Sequence, residues 1–424
     1  MKNYLRGSKP APVDFFNANS KFIAAGTKSA KSDSMVASIS MVKKSEKKPR
    51  TMLKSHIAPL LRAPDKIFNA SSPYNTDYFS ELASDFLDTF YPTHCPKCSQ
   101  LMSGRVVTRP HVAKCNSCRI QGSRLARTPF VNLKLPFWTI GFVLDQSAKK
   151  HPGVLTGAEI QRLLHITESS ALRLKKRIQV FTSQQKRAVE QLFYSELKKR
   201  FHKTKPLLEQ DASDINKLVT TPVGNLPIAQ SDSVVLFSAR ERSNKGRGRF
   251  RHHGQTSSIY ACDSLGGRQI GTMVQTTTWA GGPALYESIP NQKIPTLLPI
   301  IERQIPKDVP LFTDMALEWY KPHNRNHRCV NHNLPSKRGN GKSRRRYQQN
   351  GIHTQAAEGQ HGVLKTAFRA YRYVKPEHSQ LYLNEFSFWG ALKYFGADRI
   401  AEFKSNGGRS ESKNQRMFYP LDEC

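Results

Sequence analysis

Four of the seven cysteines in this chain lie in one short stretch as two C-x2-C pairs. Cys95 and Cys98 form the first pair, and Cys115 and Cys118 form the second after sixteen intervening residues. Each pair presents two thiolates at one turn, and two such turns complete the four-sulfur tetrahedron of a closed zinc site. The spacing therefore predicts a structural Zn²⁺ held by these four cysteines, with two pairs of free thiols as the alternative.

The residues between the two pairs favour a small β-structure. Arg105–Val107 and Val112–Lys114 are candidate strands, so that residues 93–125 have the layout of a zinc ribbon. Residues 56–92 form a helical lead-in, because the apolar residues of Tyr78–Leu87 follow helical spacing.

The charge of the chain favours a polyanionic partner. It has 66 Lys and Arg against 32 Asp and Glu, a formal net charge of +34, and double-stranded DNA is the partner we expect. Residues 1–55 carry twelve Lys and Arg against three acids, and we expect a disordered basic tail that either tethers DNA or is inert. The odd and low cysteine count argues against a secreted disulfide scaffold, and we expect a cytoplasmic protein without a membrane partner.

Residues 130–203 are predicted to be helical. Leu155–Leu164 begins with Thr156 and Glu159 at capping-box spacing, and after a short turn Glu168–Ile178 forms a second, basic helix. This is the pattern of a helix-turn-helix, whose second helix docks in the major groove of DNA. A plain αα-hairpin is the alternative. The basic residues that we expect to face DNA phosphates are Arg173, Lys175, Lys176 and Arg177.

Two acidic residues of the C-terminal half suggest a catalytic site. After a linker at 204–230, strands precede helices, which is typical of an α/β domain with a mixed sheet. Asp314 ends an apolar strand, and Glu358 follows forty-four positions later on a helix that also presents His361 and Lys365 on one face. Such carboxylates can bind Mg²⁺ for phosphodiester chemistry, and Lys365 can hold a DNA phosphate. The alternative is a strand-end cap and a solvated glutamate.

In their order and spacing, these motifs resemble those of bacterial insertion-sequence transposases that join a zinc ribbon and a helix-turn-helix to a DDE catalytic domain. The matching features are the paired cysteines, Trp138, Leu155–Ile178, Phe312–Asp314, Trp319-Tyr320, Val330–His332, His353-Thr354, Glu358-Gly359, Leu364-Lys365 and Tyr382–Phe388.

The resemblance implies a multi-domain protein. It would consist of a zinc ribbon, an all-α helix-turn-helix domain and an α/β ribonuclease-H-like domain at 231–400, with a five-stranded mixed sheet flanked by helices and a C-terminal tail at 401–424. It also implies Mg²⁺-dependent cleavage and strand transfer at insertion-sequence ends by a nucleoid-associated homo-oligomer. Asp314 and Glu358 would be the second and third members of the acidic triad. No P-loop is present, so we expect no nucleotide cofactor.

The first member of the triad departs from the family pattern. Ser238 stands where the family carries its first Asp, before a Gly-rich basic hairpin for which Asn244–Arg249 is the candidate. We therefore expect this carboxylate to be missing, or replaced by Asp263, which lies between two candidate strands; Asp232 is the weaker choice.

A missing carboxylate would favour other functions. The chain would then be a decayed or repurposed transposase that binds DNA without cutting it. A zinc-ribbon regulator whose C-terminal domain mediates assembly is a third hypothesis. In each case we expect a phosphate-binding loop that includes Arg344, Arg345 and Arg346.

Overall fold

The structure is a computed structural model that describes residues 74–209, 228–236, 272–324, 326–332, 352–372 and 374–407. All of them lie in one compact unit, Arg50–Cys424. Some of the sequence predictions fall outside the described ranges. They concern the tail 1–55, Ser238, the hairpin Asn244–Arg249, Asp263, and the arginines Arg344, Arg345 and Arg346.

The N-terminal part begins with a helix and a small antiparallel sheet. Helix α1 spans Thr76–Phe90 and starts at Asn75, whose side chain accepts a hydrogen bond from the N–H of Tyr78 at 3.0 Å. Three short strands follow, in the order in which they pair: β1 (Gly104–Arg105), β2 (Val112–Lys114) and β3 (Gln121–Ser123). Two strands lie between the cysteine pairs as predicted; the second has the predicted bounds, and the first covers Gly104–Arg105 instead of Arg105–Val107.

A buried arginine joins this small sheet to α1. The side chain of Arg124 is 1% exposed, and its Nε lies 2.8 Å from a carboxylate oxygen of Asp88. The same guanidinium donates hydrogen bonds to the carbonyl oxygens of Pro110 and Val112. The guanidinium thus holds the loop before β2, β2 itself and α1 together.

Helices α2 to α5 follow. Helices α3 and α4 form the pair predicted as a helix-turn-helix, and Thr156 and Thr167 cap their N-termini. The apolar residues Ala171, Leu174 and Ile178 of α4 are fully buried. Helix α5 runs into the region predicted as a linker. The bounds are α2 Trp138–Lys150, α3 Gly157–Leu164, α4 Glu168–Gln184 and α5 Lys186–Glu209.

The C-terminal part contains the predicted five-stranded mixed sheet. Its order is β6-β5-β4-β7-β8, in which β4 pairs antiparallel to β5 and parallel to β7. This order and these directions are compatible with a ribonuclease-H-like domain. The strands are β4 Ala229–Leu236, β5 Thr272–Trp279, β6 Leu285–Ser288, β7 Leu311–Asp314 and β8 His327–Val330.

Four further helices pack around this sheet. Helix α8 lies against the edge strand β6, where the side chains of Ser387 and Gln380 accept hydrogen bonds from the N–H groups of Tyr286 and Ser288. Helix α9 extends into the predicted C-terminal tail. The bounds are α6 Ile294–Gln304, α7 Gln355–Phe368, α8 Pro376–Phe395 and α9 Ala397–Gly407, with a 3₁₀-helix at Met315–His323 and another at Arg369–Tyr371.

The helical part and the sheet share one hydrophobic core. Phe86 of α1, Phe181 of α4 and Phe388 of α8 form a continuous aromatic series, with ring centroids 5.0 and 5.4 Å apart. Phe193 of α5 packs against Trp279 of β5 at 4.4 Å. The predicted helix-turn-helix is therefore not a separate domain, because its second helix buries one side against α8.

The described part of the chain holds no helix with the length and apolar character needed to cross a membrane.

Candidate active site and metal centres

Two of the candidate carboxylates lie side by side at one edge of the sheet. The parallel strands β4 and β7 are in a register that pairs Ser231 with Thr313. Asp232 and Asp314 are the next residues on the two strands, so their side chains leave the same face of the sheet. Asp314 Oδ1 also accepts a hydrogen bond from the N–H of Met315 at 2.6 Å, which fixes the start of the following 3₁₀-helix.

The third carboxylate belongs to the first turn of α7. This helix packs on β4 and β5 through a buried apolar face that includes Ala357, Leu364 and Phe368. Glu358 lies beside that face with its carboxylate partly exposed. Its Oε1 accepts a hydrogen bond from the hydroxyl of Thr354 at 3.0 Å.

The electrostatics of Asp232 indicate that the three carboxylates converge. Burial raises the pKa of Asp232 to about 7, a hydrogen bond from the N–H of Ser233 opposes this rise, and the charges of Asp314 and Glu358 add to it. Nearby like charges disfavour ionisation in this way, and an added cation reverses the effect. The charges of Asp314 and Glu358 therefore lie close enough to Asp232 to act on its carboxylate.

His361 and Lys365 border this site on α7, one and two turns after Glu358. His361 Nδ1 lies 3.7 Å from Asp232 Oδ2, and burial lowers the pKa of His361 to about 4, so the ring is neutral near pH 7. The Lys365 ammonium acts on Asp232 in the opposite sense to the two acids and lowers its pKa. The predicted common face of Glu358, His361 and Lys365 is therefore directed at the acidic site.

The apolar run that begins at Val234 predicts a strand that starts later than β4, which begins at Ala229. The N-terminal half of β4, which carries Asp232, is polar and largely buried. Ser231 is fully buried and accepts a hydrogen bond from Gln275 Nε2 of β5 at 2.6 Å. The Thr-rich sequence of β5 is the feature that indicates a polar, buried neighbouring strand, because buried polar side chains need hydrogen-bond partners.

The four cysteines of the two C-x2-C pairs are grouped as predicted. Their sulfur atoms all lie within 4.8 Å of one another, and no other group of three or more potential metal ligands in the described ranges meets the same criterion. Neighbouring pairs are 3.2 to 3.8 Å apart, close to the ~3.8 Å edge of a tetrahedron with 2.3 Å Zn–S bonds. The N–H of Cys118 lowers the pKa of Cys115 to about 6, which favours the thiolate.

The predicted DNA-facing residues of α4 divide into two sets. Arg173 is exposed and Lys176 is partly exposed, as predicted. The prediction that Lys175 lies on the outer face is wrong, because its ammonium is buried 2.6 Å from Glu385 of α8. Arg177 donates hydrogen bonds to the carbonyl oxygens of Pro129 and Val131 and so holds the preceding loop.

A comparison with protein families adds to this geometry. The family model of the ISXO2-like transposase domain matches residues 231–389. The matched range begins one residue before Asp232 and ends within α8, so that it contains Asp232, Asp314 and Glu358. No curated protein matches the chain, and no solved structure does.

Proposed function

We propose that this chain binds the ends of an insertion sequence and catalyses metal-dependent cleavage and transfer of DNA strands. Asp232, Asp314 and Glu358 are the metal-binding residues in this proposal. The observation that carries it is the register of β4 and β7, which places Asp232 beside Asp314, together with the hydrogen bond from α7 to Gln230 that joins the helix turn of Glu358 to the same strand. Three acids so arranged are unfavourable for the protein alone and favourable for a divalent cation.

The donor set fits Mg²⁺. All three ligands are carboxylate oxygens, which Mg²⁺ prefers while keeping several waters of its own. Two such ions would supply Lewis-acid stabilisation of the attacking and leaving oxygens of a phosphodiester. The protein itself orients the carboxylates from two strands and one helix.

Positive residues of α7 and α4 supply the DNA contacts. Lys365 extends from the same helix face as Glu358 and can hold a phosphate next to the reacting one. Arg173 and Lys176 belong to the open side of α4, which is the side of a helix-turn-helix that meets the major groove. Lys175 and Arg177 are omitted from this set because they have partners inside the protein.

We also propose that the four cysteines hold a structural Zn²⁺. A cluster of this kind has no position for substrate, and its sulfur atoms join the segment before β1 to the turn between β2 and β3. The ion would therefore stabilise the ribbon and would take no part in strand cleavage.

The decisive experiment measures nicking and strand transfer in Mg²⁺. The substrate is a supercoiled plasmid carrying the sequences that flank the gene of this chain. Wild-type protein should nick it, and Asp232→Asn should not. Asp308→Asn is the matched control, because Asp308 is an exposed aspartate just before β7 and away from the other acids.

Asp263→Asn tests the substitute that the sequence favours. If Asp263→Asn abolished nicking while Asp232→Asn still nicked the plasmid, the assignment of Asp232 as the first carboxylate would be wrong. Absence of nicking by the wild type, with tight and salt-sensitive DNA binding, would instead support a transposase that has lost its catalytic activity.

A further inference from the structure

The first turn of α7 is capped in an unusual way. The N–H groups at the start of a helix lack intrahelical partners, and a Thr at the N-cap usually accepts from one of them. Thr354 occupies the N-cap of α7 and is fully buried, yet its side chain accepts no hydrogen bond from the helix. Its hydroxyl is directed elsewhere.

The hydroxyl of Thr354 connects a histidine to the acidic site. Thr354 Oγ1 donates to Glu358 Oε1 at 3.0 Å, and His332 Nε2 lies 3.2 Å from the same hydroxyl. A hydroxyl has one proton, and here that proton is directed at Glu358. His332 must therefore carry its proton on Nε2 and donate it to Thr354. The result is a chain of donors that ends at the carboxylate.

A side chain from the sheet caps the helix instead. Gln230 is 2% exposed, and its Oε1 accepts hydrogen bonds from the N–H groups of Ala356 at 2.8 Å and Ala357 at 3.3 Å. Gln230 lies two residues before Asp232 on β4, on the same face of the sheet. The strand that carries Asp232 is thus bonded directly to the helix turn that carries Glu358.

We propose that Gln230, Thr354 and His332 are positioning residues that set the Glu358 carboxylate opposite Asp232. The amide of Gln230 takes over the capping of α7, and this frees the Thr354 hydroxyl to orient the carboxylate. The inference rests on the proposed metal-dependent function. Outer partners of this kind typically change metal affinity or activity 10- to 100-fold when removed.

The test compares Thr354→Val with Thr354→Ser in the full, zinc-loaded chain. Mn²⁺ serves as the probe, and its binding is measured by electron paramagnetic resonance without DNA. Thr354→Val should lower Mn²⁺ affinity about 10- to 100-fold, and Thr354→Ser, which keeps the hydroxyl, should restore it. The melting temperature of the metal-free Val variant should stay within about 2 °C of wild type, because the hydroxyl does not cap the helix.

A structural role for the hydroxyl gives the opposite pattern, with a lower melting temperature and unchanged Mn²⁺ affinity, and that result would overturn the inference. Thr139→Val is the matched control, since Thr139 is a buried threonine of α2 whose hydroxyl donates to Pro136 at 2.7 Å. It should leave Mn²⁺ affinity unchanged.

His332 provides a second measurement if Thr354→Val does not fold. His332→Ala, at a partly exposed position, should lower Mn²⁺ affinity about tenfold, and His332→Gln, which keeps an N–H donor, should restore most of it. Unchanged affinity in His332→Ala would contradict the inference.

Asp314→Asn separates the two proposals. If Asp314→Asn leaves both Mn²⁺ binding and nicking intact, the proposed function is wrong. If Asp314→Asn abolishes them and only the positioning variants have no effect, the proposed function stands and the inference alone is wrong.

Discussion

The two candidate metal centres of this protein are built in opposite ways. The four thiols come from twenty-four consecutive positions, Cys95 to Cys118, and form a tight, closed group. The three carboxylates come from β4, the end of β7 and the start of α7, and they form an open group whose members are far apart in the chain. The first centre depends on local turns, and the second depends on the whole sheet.

This difference decides which properties each centre controls. A closed group of thiolates contributes to stability when it binds a metal, because the ribbon has only a small core of its own around Met102 and Ala113. An open group of like charges costs stability and is retained for chemistry. Substitutions should therefore separate the two centres by their effects on folding and on activity.

The largest effect is expected from Cys115→Ser, which removes one of the buried thiols. Zinc binding should be lost, and the free energy of unfolding of the ribbon should fall by about 5 kcal/mol or more, since metal binding and folding are coupled. Metal analysis and thermal unfolding measure this. Cys329→Ser, outside the group, is the control, and full zinc content in the Cys115 variant would refute the assignment.

Asp314→Asn should have the reverse profile. The loss of a metal-binding carboxylate should lower the nicking rate about a thousandfold, which corresponds to about 4 kcal/mol of activation free energy. Folding and zinc content should be unchanged, because Asn keeps the oxygen that accepts from the N–H of Met315. An Asp314→Asn variant that unfolds, or one that nicks at the wild-type rate, would contradict the expectation that the carboxylates control activity and not stability.

Lys175→Met tests the buried ion pair that joins α4 to α8. It leaves Glu385 buried without its cation, and the free energy of unfolding should fall by about 3 kcal/mol. The double variant with Glu385→Gln should recover most of this loss in a double-mutant cycle measured by chemical denaturation.

DNA affinity in Lys175→Met should keep its salt dependence, whereas Arg173→Ala should reduce the salt dependence of DNA affinity.

The smallest effect concerns pH. Burial, with a smaller contribution from Lys393, lowers the pKa of His151 to about 4, while an unfolded histidine has a pKa near 6.5. Between these values the unfolded state binds more protons, so stability falls as the pH falls from about 6.5 to 4. His151→Gln should remove about 2 kcal/mol of this loss between pH 7 and 5. The free energy of unfolding is measured by chemical denaturation at each pH, and an identical pH dependence in wild type and variant would contradict this role of His151.

The sequence predicted local features well and long-range ones less completely. The thiol group and the capped helices α3 and α4 depend on residues close together in the chain, and all are present in the structure. The sequence makes Asp232 the weaker choice because its strand is polar, and hydrogen bonds to β5 satisfy that polarity only after folding. Lys175 was misplaced for the same reason, since its partner Glu385 lies 210 positions away.

Helix α8 buries residues on both of its sides, with Glu385 and Asn384 directed at α4 and Ser387 at β6. Any shortened copy of the chain that ends before Pro376 would leave the groove between α4 and the sheet edge open to solvent. We expect such a fragment to expose the apolar side of α4 and the edge strand β6, and to be degraded by proteases faster than the full chain.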